Sequence, residues 1–244
     1  MKIIVTCGPS YEPIDGARRM TNMSSGRLGI TLTNVLSDAG HELICLKGEG
    51  STFPGLVRAS RVESFATNDD LARQLEVIGR SENIDAILHA AALCDFRVDQ
   101  VLNAAGHVMR SSKFATSEGS IQLVLAPATK VLPMIRAWFP RARIVGWKYE
   151  LVGSREDAFS KARKQISDCR TDACVLNGAA YGQGFALCLP LGRVQTSADA
   201  PALCESLLEW LGHAAQPGKQ SRPLHLSWNR PVRFSPRFRP THSR

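Results

Sequence analysis

The sequence predicts an α/β fold: a Rossmann-like, doubly wound, mostly parallel sheet that carries an inserted β-hairpin. Short apolar runs typical of buried strands alternate with segments in which apolar residues recur at helical spacing, and this order favours a parallel sheet with helices on both faces. The alternation is interrupted once, between residues 96 and 125, where turn residues separate strand-like runs. With 244 residues and 44% hydrophobic composition, the chain can bury one large core.

The first ninety residues predict four strands and two helices. Residues 3–6 form an apolar run that predicts a buried first strand. Apolar residues recur at helical spacing from Leu28 to Ala39, and Gly40 then supplies a stop signal. A second helix is expected to begin at Asn68, a residue type that caps helices. The other predicted strands cover residues 41–47, 58–65 and 84–90.

Residues 96–125 break this rhythm. The run Asn103-Ala-Ala-Gly106 is typical of a turn, and residues 120–125 have strand character. We interpret the segment as an inserted hairpin that serves as a flap or a dimer arm. The alternation then returns, with predicted helices over residues 129–138, 154–170 and 200–213 and predicted strands over residues 143–149, 173–177 and 185–189.

The net charge of +8 belongs mainly to the C-terminal stretch. Residues 217–244 contain seven basic residues, five prolines and no acidic residue. Removing these seven from the 30 Lys and Arg leaves 23 against 22 Asp and Glu in residues 1–216, which is too balanced to indicate a nucleic-acid partner. We therefore expect one folded domain over residues 1–216 and a basic, proline-rich, disordered tail over residues 217–244.

Composition also predicts the compartment. No apolar run approaches the roughly 18 to 20 residues that span a bilayer, and the first apolar run is too short for a secretory signal. A cytoplasmic protein with no membrane partner is expected. The seven cysteines are scattered without a Cys-x-x-Cys pair, so no metal site is predicted from them.

The loop after the first strand is long. A dinucleotide-binding protein would place Gly-x-Gly-x-x-Gly directly after that strand, and this chain instead continues through Pro9 to a second stretch, Ser24-Ser-Gly-Arg-Leu-Gly29. Small residues at a helix N-terminus can expose backbone N–H groups to an anion such as a phosphate. An ordinary helix cap explains the stretch Ser24 to Gly26 equally well.

The whole loop resembles the sequence pattern of the phosphopantothenate-cysteine ligase family. The matching residues are Gly8-Pro-Ser-Tyr-Glu-Pro-Ile-Asp15, then Arg18, then Thr21-Asn-Met-Ser-Ser-Gly-Arg-Leu-Gly29. Later segments that resemble the family are Ala90 to Arg97, Ser112-Lys113, Val145 to Glu150 and Val175 to Asn177. The resemblance covers residues 1–215, essentially the whole predicted domain, and it indicates a stand-alone ligase without the flavin-dependent decarboxylase domain.

This resemblance implies a reaction. It would join 4'-phosphopantothenate to cysteine through an acyl-nucleotide intermediate in coenzyme A biosynthesis, with CTP or ATP as cosubstrate, Mg²⁺ and no flavin. It also implies a homodimer, with the inserted hairpin near the twofold axis.

The resemblance assigns roles to residues. The catalytic set is Asn22, Lys113 and Arg18. The set that binds the substrate phosphate is Ser24, Ser25, Gly26 and Gly29. The nucleotide set is Gly8, Ala92, Asp95, Trp147, Lys164 and Asn177. Taken without the family, Asn22 would be a loop-capping residue, Arg18 and Lys113 solvated surface residues, Asp95 a turn residue and Trp147 a core aromatic.

The chain departs from the bacterial pattern of this family at two places. Lys113-Phe-Ala-Thr stands where bacterial members have Lys-x-Lys-Lys, and Gln165 and Cys169 stand where they have helix lysines. These departures resemble eukaryotic-type members, which accept ATP. Two alternatives stay open: a degenerate ligase-like protein that binds nucleotide or phosphate, and a nicotinamide-dependent Rossmann reductase, which the missing glycine motif disfavours.

Overall fold

The structure of the chain, a computed structural model, describes residues 1–213. Its strands are β1 (Lys2–Cys7), β2 (Tyr11–Pro13), β3 (Arg19–Thr21), β4 (Glu42–Gly48), β5 (Arg61–Phe65), β6 (Ala86–His89), β7 (Phe96–Asn103), β8 (Ile121–Pro127), β9 (Arg143–Tyr149), β10 (Ala173–Asn177), β11 (Phe185–Cys188) and β12 (Val194–Ser197). Its α-helices are α1 (Arg27–Asp38), α2 (Asn68–Ser81), α3 (Leu132–Trp138), α4 (Arg155–Cys169) and α5 (Ala200–His213). The tail predicted over residues 217–244 lies outside the described residues. Within residues 1–213, no helix is long and apolar enough to cross a membrane.

Eight strands form one sheet in the order β12-β11-β10-β9-β6-β1-β4-β5. The six strands from β10 to β5 run parallel, and β11 and β12 extend one edge in antiparallel orientation. The predicted mostly parallel, doubly wound fold is confirmed. The chain moves outward from β1 to β4 and β5, then returns to β6 on the other side of β1. In such sheets ligands bind at the carboxyl ends of the strands beside this reversal, which here are β1 and β6.

The parallel strands alternate their side chains between two helical layers. Ile3 and Val5 pack in a cluster with residues of α1 and α5, whereas Ile4 packs in a cluster with residues of α2 and α3. All three side chains are fully buried. Burial of an aliphatic side chain of this size contributes roughly 1.5 to 3 kcal/mol. Burial on both faces explains why the strands are continuous apolar runs.

The predicted hairpin insertion is confirmed. β7 and β8 pair antiparallel as a separate two-stranded sheet, which extends past residue 125 to Pro127. The segment between the two strands returns to the first loop, where the N–H of Gly16 donates to the carbonyl of Ser112 over 2.8 Å. The hairpin therefore connects the carboxyl end of the central strand β6 to the loop that follows β1.

Several predicted element boundaries were wrong. The strand predicted over residues 58–65 begins at Arg61, and the helix predicted from residue 129 begins at Leu132. Thr67 rather than Asn68 caps α2, because its hydroxyl accepts the N–H of Asp70 over 3.2 Å. The ribbon β2–β3 and the edge strand β12 were not predicted, because these strands have only three or four residues and little apolar alternation.

Asn68 is 2% exposed, and its amide joins three separate segments of the chain. Its Oδ1 accepts a hydrogen bond from the Ser10 hydroxyl over 2.7 Å. Its Nδ2 donates to the carbonyls of Cys94 (2.8 Å) and Thr129 (2.9 Å). The Ser10 hydroxyl in turn accepts the N–H of Cys94 over 2.8 Å. The loop after β1, the loop after β6 and the segment before α3 therefore meet at one buried side chain.

Replacement of Asn68 by alanine should lower the free energy of unfolding by about 3 kcal/mol, because a buried hydroxyl and two buried carbonyls lose their partner. Urea unfolding of the full chain measures the change. Asn34→Ala is the matched control: this half-buried asparagine also hydrogen-bonds backbone groups, at Leu56 and Arg58, but in an exposed setting. The control should lose less than about 1 kcal/mol. Equal losses in the two variants would contradict the importance of the buried junction.

Candidate active site

A cavity of about 580 Å³ opens at the carboxyl ends of β6 and β9, between α3 and α4. The uncharged side chains of its lining come mainly from the end of β6, the loop after it and α3; they include His89, Ala91, Leu93 and Leu132. The basic side chains of its lining are Lys130, Lys148, Lys161 and Lys164. All four lysines are at least one-third exposed, whereas His89 is buried. The cavity thus has an uncharged floor and a basic rim.

The rim lysines are paired with carboxylates of the same cavity. Lys130 pairs with Asp95, and Lys164 pairs with Asp168 over 2.8 Å. Both pairs are largely exposed, so each contributes little to stability and can exchange partners readily. A polyphosphate entering the cavity can therefore recruit these ammonium groups at small cost.

Glu150 holds the other two lysines. This carboxylate, 8% exposed, accepts from Lys161 and lies 3.3 Å from the Nζ of Lys148. Burial alone would raise the pKa of Glu150, but the hydrogen bonds from Lys161 and Lys148 outweigh it, so the pKa lies below its ordinary value. Glu150 is consequently ionised at neutral pH and fixes both ammonium groups beside the cavity.

The predicted nucleotide residues divide into two groups. Asp95, Trp147 and Lys164 line the cavity. Trp147 also packs against the apolar cluster on the α1 and α5 side of the sheet, and its indole N–H is buried without a hydrogen-bond partner among the described residues. The other predicted members, Gly8, Ala92 and Asn177, do not line the cavity in the described part of the chain.

Two of those other members lie next to the cavity. The N–H of Ala92 donates to the carbonyl of Gly8 over 2.9 Å, so the ends of β1 and β6 are joined directly. The carbonyl of Asn177, the last residue of β10, accepts the N–H of Glu150 over 2.9 Å. Ala92 and Asn177 thus form backbone hydrogen bonds that hold the segments next to the cavity in place.

Gln165 and Cys169, which replace the lysines of the bacterial pattern, both line the cavity. The Nε2 of Gln165 donates to the Sγ of Cys174 over 3.2 Å, and a Cβ at Gly146 would lie 2.5 Å from this Nε2. Gln165 therefore closes the cavity wall rather than carrying charge. The positive charge comes from other positions, and sequence reasoning did not assign Lys130, Lys148 or Lys161 to the site. Their positions in the sequence could have indicated this role: Lys130 lies just before α3, Lys148 near the end of β9 and Lys161 on α4.

The first loop brings the N-terminus of α1 close to the end of β1. Gly26 has a φ of 78°, in the left-handed region, and a Cβ there would lie 2.3 Å from the Oγ of Ser51. A Cβ at Gly29 would lie 2.3 Å from the Cβ of Cys7. Only glycine permits this approach, which is the close helix-to-strand contact of nucleotide- and phosphate-binding folds.

The N-terminus of α1 has no side-chain cap at Gly26. The hydroxyls of Ser24 and Ser25 accept the N–H groups of Gly26 (3.4 Å) and Arg27 (3.3 Å) over long distances. Within the described part of the chain, no side chain caps the following N–H groups of the first turn, and the helix dipole places partial positive charge there. This arrangement supports the predicted phosphate site at Ser24, Ser25, Gly26 and Gly29.

Asn22 links the first loop to the loop after β6. Its Nδ2 donates to the carbonyls of Ala92 (3.1 Å) and Leu93 (2.9 Å). Both amide hydrogens are therefore used in this arrangement, and the predicted donation to a substrate oxyanion requires one of these bonds to be exchanged. Asn22 nevertheless stands between the phosphate-site segment and the cavity, because Leu93 lines the cavity.

Arg18 and Lys113 lie together at the tip of the first loop, apart from the cavity lining. The Arg18 guanidinium donates to the Asp15 carboxylate and, over 2.6 Å, to the carbonyl of Phe114. The Arg18 hydrogen bond lowers the pKa of Asp15 far below its usual range. Phe114 is buried and anchors the segment, whereas Lys113 is exposed. Arg18 thus fixes the predicted flap segment to the first loop, and Lys113 gives this segment an exposed positive charge.

The chain matches a known family model. The model of the DNA/pantothenate metabolism flavoprotein C-terminal domain matches residues 1–188. Among curated relatives, the coenzyme A biosynthesis bifunctional protein CoaBC of Thermococcus kodakarensis is 30% identical over 176 residues, which cover 72% of this chain and 41% of the relative. The CoaBC protein of Mycobacterium tuberculosis is 30% identical over 196 residues, 75% of this chain and 43% of the relative. The chain therefore spans about two-fifths of the length of these relatives.

Solved structures share the fold. The DNA/pantothenate metabolism flavoprotein from Streptococcus pneumoniae superposes with a TM-score of 0.76 at 20% identity, covering 88% of this chain and 99% of that chain. A Cab2 mutant in complex with phosphopantothenate-cysteine superposes with a TM-score of 0.63 at 15% identity, covering 88% of this chain and 89% of that chain. At these identities the likeness establishes the α/β fold.

Glu150→Gln should destabilise the chain at pH 7, and the difference from wild type should shrink as pH falls to about 3. Because its folded pKa is lowered, the Glu150 carboxylate contributes stability above the unfolded pKa and loses it as pH falls through the folded pKa. Urea unfolding at both pH values measures this. The control is Glu156→Gln, which removes an exposed ion pair between Glu156 and Arg163 within α4. This variant should have nearly the wild-type stability at both pH values. A pH-independent loss at Glu150 would contradict the assignment.

Proposed function

The chain belongs to the family of the DNA/pantothenate metabolism flavoprotein C-terminal domain, and we propose that it is a phosphopantothenate-cysteine ligase acting in coenzyme A biosynthesis. The observation that carries this proposal is one arrangement: a cavity with a lysine rim lies next to an uncapped helix N-terminus, and Asn22 joins the two. The names of the curated relatives and the ligand of the Cab2 complex support the same reaction.

The proposed reaction has two steps. An oxygen of the 4'-phosphopantothenate carboxylate attacks the α-phosphorus of the nucleoside triphosphate, a P–O bond breaks and pyrophosphate leaves. The amine of cysteine then attacks the acyl carbon, loses a proton and expels the nucleoside monophosphate as the amide forms. Activation is needed because a carboxylate is a poor electrophile, and the binding site must stabilise negative charge in both steps.

We assign the two anionic substrates to two different places. The rim lysines suit the triphosphate, because four ammonium groups converge on one opening. The N-terminus of α1, with Ser24, Ser25, Gly26 and Gly29, suits the single phosphate of phosphopantothenate. The substrate carboxyl would then lie near Asn22, whose Nδ2 can exchange a loop carbonyl for the developing charge.

Mg²⁺ would enter with the nucleoside triphosphate rather than occupy a protein cage. Among residues 1–213, no group of three or more His, Cys, Asp and Glu side chains could hold a metal ion. The cavity carboxylates Asp95, Glu150 and Asp168 are each paired with lysine.

Amide formation transfers no electrons, so the proposed reaction uses no flavin. A cytoplasmic location remains a prediction.

A homodimer is part of the proposal. The hairpin β7–β8 exposes Phe96, Leu123 and Leu125, and a second copy of the chain is the proposed cover for these side chains. Sedimentation should give a dimer at micromolar concentration, and Leu125→Asp should shift it toward monomer. Val77→Asp, at an exposed apolar residue of α2, should leave association unchanged. A wild-type monomer would refute this part.

Lys113→Ala should lower the rate of pyrophosphate release, measured with phosphopantothenate, cysteine and Mg-nucleotide, by about 10²-fold, because a lost charge contact to a transition state costs this much. Lys2→Ala is the control. Lys2 pairs with Glu42 and Glu82 at the opposite end of β1, so its removal should leave the rate within about twofold. Wild-type turnover in Lys113→Ala would refute the role of Lys113, and absence of turnover in the wild type would refute the ligase proposal.

ATP should be accepted at least comparably to CTP. Gln165 and Cys169 replace the lysines of the bacterial pattern, and the rim charge comes from Lys130, Lys148 and Lys161 instead, with Lys164. Measurement of kcat/KM for both nucleotides at saturating cosubstrates tests this. A preference for CTP beyond roughly a hundredfold, or about 2.7 kcal/mol, would contradict it.

A further inference from the structure

His89 is a buried titratable residue that the proposed reaction has not used. It is the last residue of β6, it is 6% exposed, and it lines the floor of the cavity. Its side chain lies on the face of the sheet that packs against α2 and α3, because its neighbour Leu88 packs in the cluster on the α1 and α5 face. A polar ring therefore borders the innermost part of the cavity.

The hydrogen bonds of His89 assign its tautomer. The Oγ1 of Thr6 lies 2.8 Å from the Nδ1 of His89 and accepts the N–H of Ala91 over 3.3 Å. Among the described residues, the Thr6 hydroxyl has no acceptor other than this Nδ1, so the hydroxyl donates to it. Burial lowers the pKa of His89 to about 4, so the ring is neutral at pH 7. The single ring proton must then sit on Nε2.

The Nε2–H has no hydrogen-bond partner within residues 1–213. Because His89 lines the cavity, a ligand that supplies an acceptor can form a hydrogen bond with this N–H and gain affinity. A phosphate is a poor candidate for this acceptor. It would have to leave water and the exposed lysines of the rim for a floor lined by Ala91 and Leu132, where His89 adds no charge.

We propose that His89 is a base-binding residue whose Nε2–H donates a hydrogen bond to an uncharged acceptor, a carbonyl oxygen or a ring nitrogen, of the nucleotide base. This inference rests on the proposed function, since it takes the cavity to be the nucleotide site. Cytosine and adenine both carry such acceptors, so one donor can serve either base. Thr6 is the positioning residue, because its hydroxyl holds the proton on Nε2.

Calorimetric titration of the full chain with Mg-CTP, Mg-ATP and inorganic tripolyphosphate tests the proposal. His89→Leu keeps most of the side-chain volume and removes the donor, and His89→Gln places an amide N–H near the position of Nε2. We expect His89→Leu to weaken binding of at least one nucleotide by about tenfold, which corresponds to one hydrogen bond of about 1.4 kcal/mol. Tripolyphosphate binding should stay within about twofold of wild type, and His89→Gln should recover part of the nucleotide affinity.

Three outcomes would overturn the proposal: unchanged nucleotide binding in His89→Leu, an equal loss of tripolyphosphate binding, or no nucleotide binding by the wild type. ¹⁵N NMR of the imidazole tests the tautomer on which this donor depends. His89 should be the Nε2–H tautomer at pH 7, Thr6→Val should reduce this preference, and an Nδ1–H tautomer in the wild type would contradict the assignment. Pyrophosphate release by the wild type decides the ligase proposal separately, so either idea can fail while the other is retained.

Discussion

The buried amide of Asn68 is the interaction on which the arrangement of the site depends. Each of its hydrogen bonds reaches a different segment: Ser10 in the loop after β1, Cys94 in the loop after β6, and Thr129 before α3. These segments lie outside the helices and strands, and the backbone of the first two also pairs directly, through hydrogen bonds from the N–H of Ala92 to Gly8 and from the N–H of Ser10 to Ala92. A fully satisfied polar side chain in low dielectric fixes one geometry strongly, because every alternative leaves a buried group unpaired. The position of the cavity relative to the first loop follows from this junction.

Around this junction, the site separates charge from apolar surface. His89 ends β6 and Ala91 follows it, and both line the inner part of the cavity. The exposed lysines of its rim lie just before α3, on β9 and on α4. Glu150 is the buried exception, and Lys148 and Lys161 compensate its charge. A nucleotide has the matching polarity, with an uncharged base and a charged polyphosphate. The proposed orientation of the nucleotide therefore follows from the cost of burying phosphate without a counter-ion.

Much of the fold could be predicted from the sequence, because the parallel strands are continuous apolar runs and α4 has a Ser154 cap that is evident in sequence. The site could be predicted only in part. A family resemblance predicts a phosphate site over Ser24 to Gly29, and Asp95 and Lys164, which it predicts to bind the nucleotide, line the cavity. The role of Asn68 was missed because its partners lie 26 to 61 residues away along the chain. Glu150 and Lys161 were missed as a pair for the same reason: β9 and α4 meet only in the folded chain.

The most direct measurement of the central claim follows one oxygen atom. When 4'-phosphopantothenate carrying ¹⁸O in its carboxylate reacts with cysteine and a nucleoside triphosphate, mass spectrometry can locate the label in each product. An acyl-nucleotide intermediate predicts one ¹⁸O atom in the nucleoside monophosphate, none in pyrophosphate, and an amide product that has lost one labelled oxygen. Label in pyrophosphate or inorganic phosphate, or no amide product at all, would contradict the account.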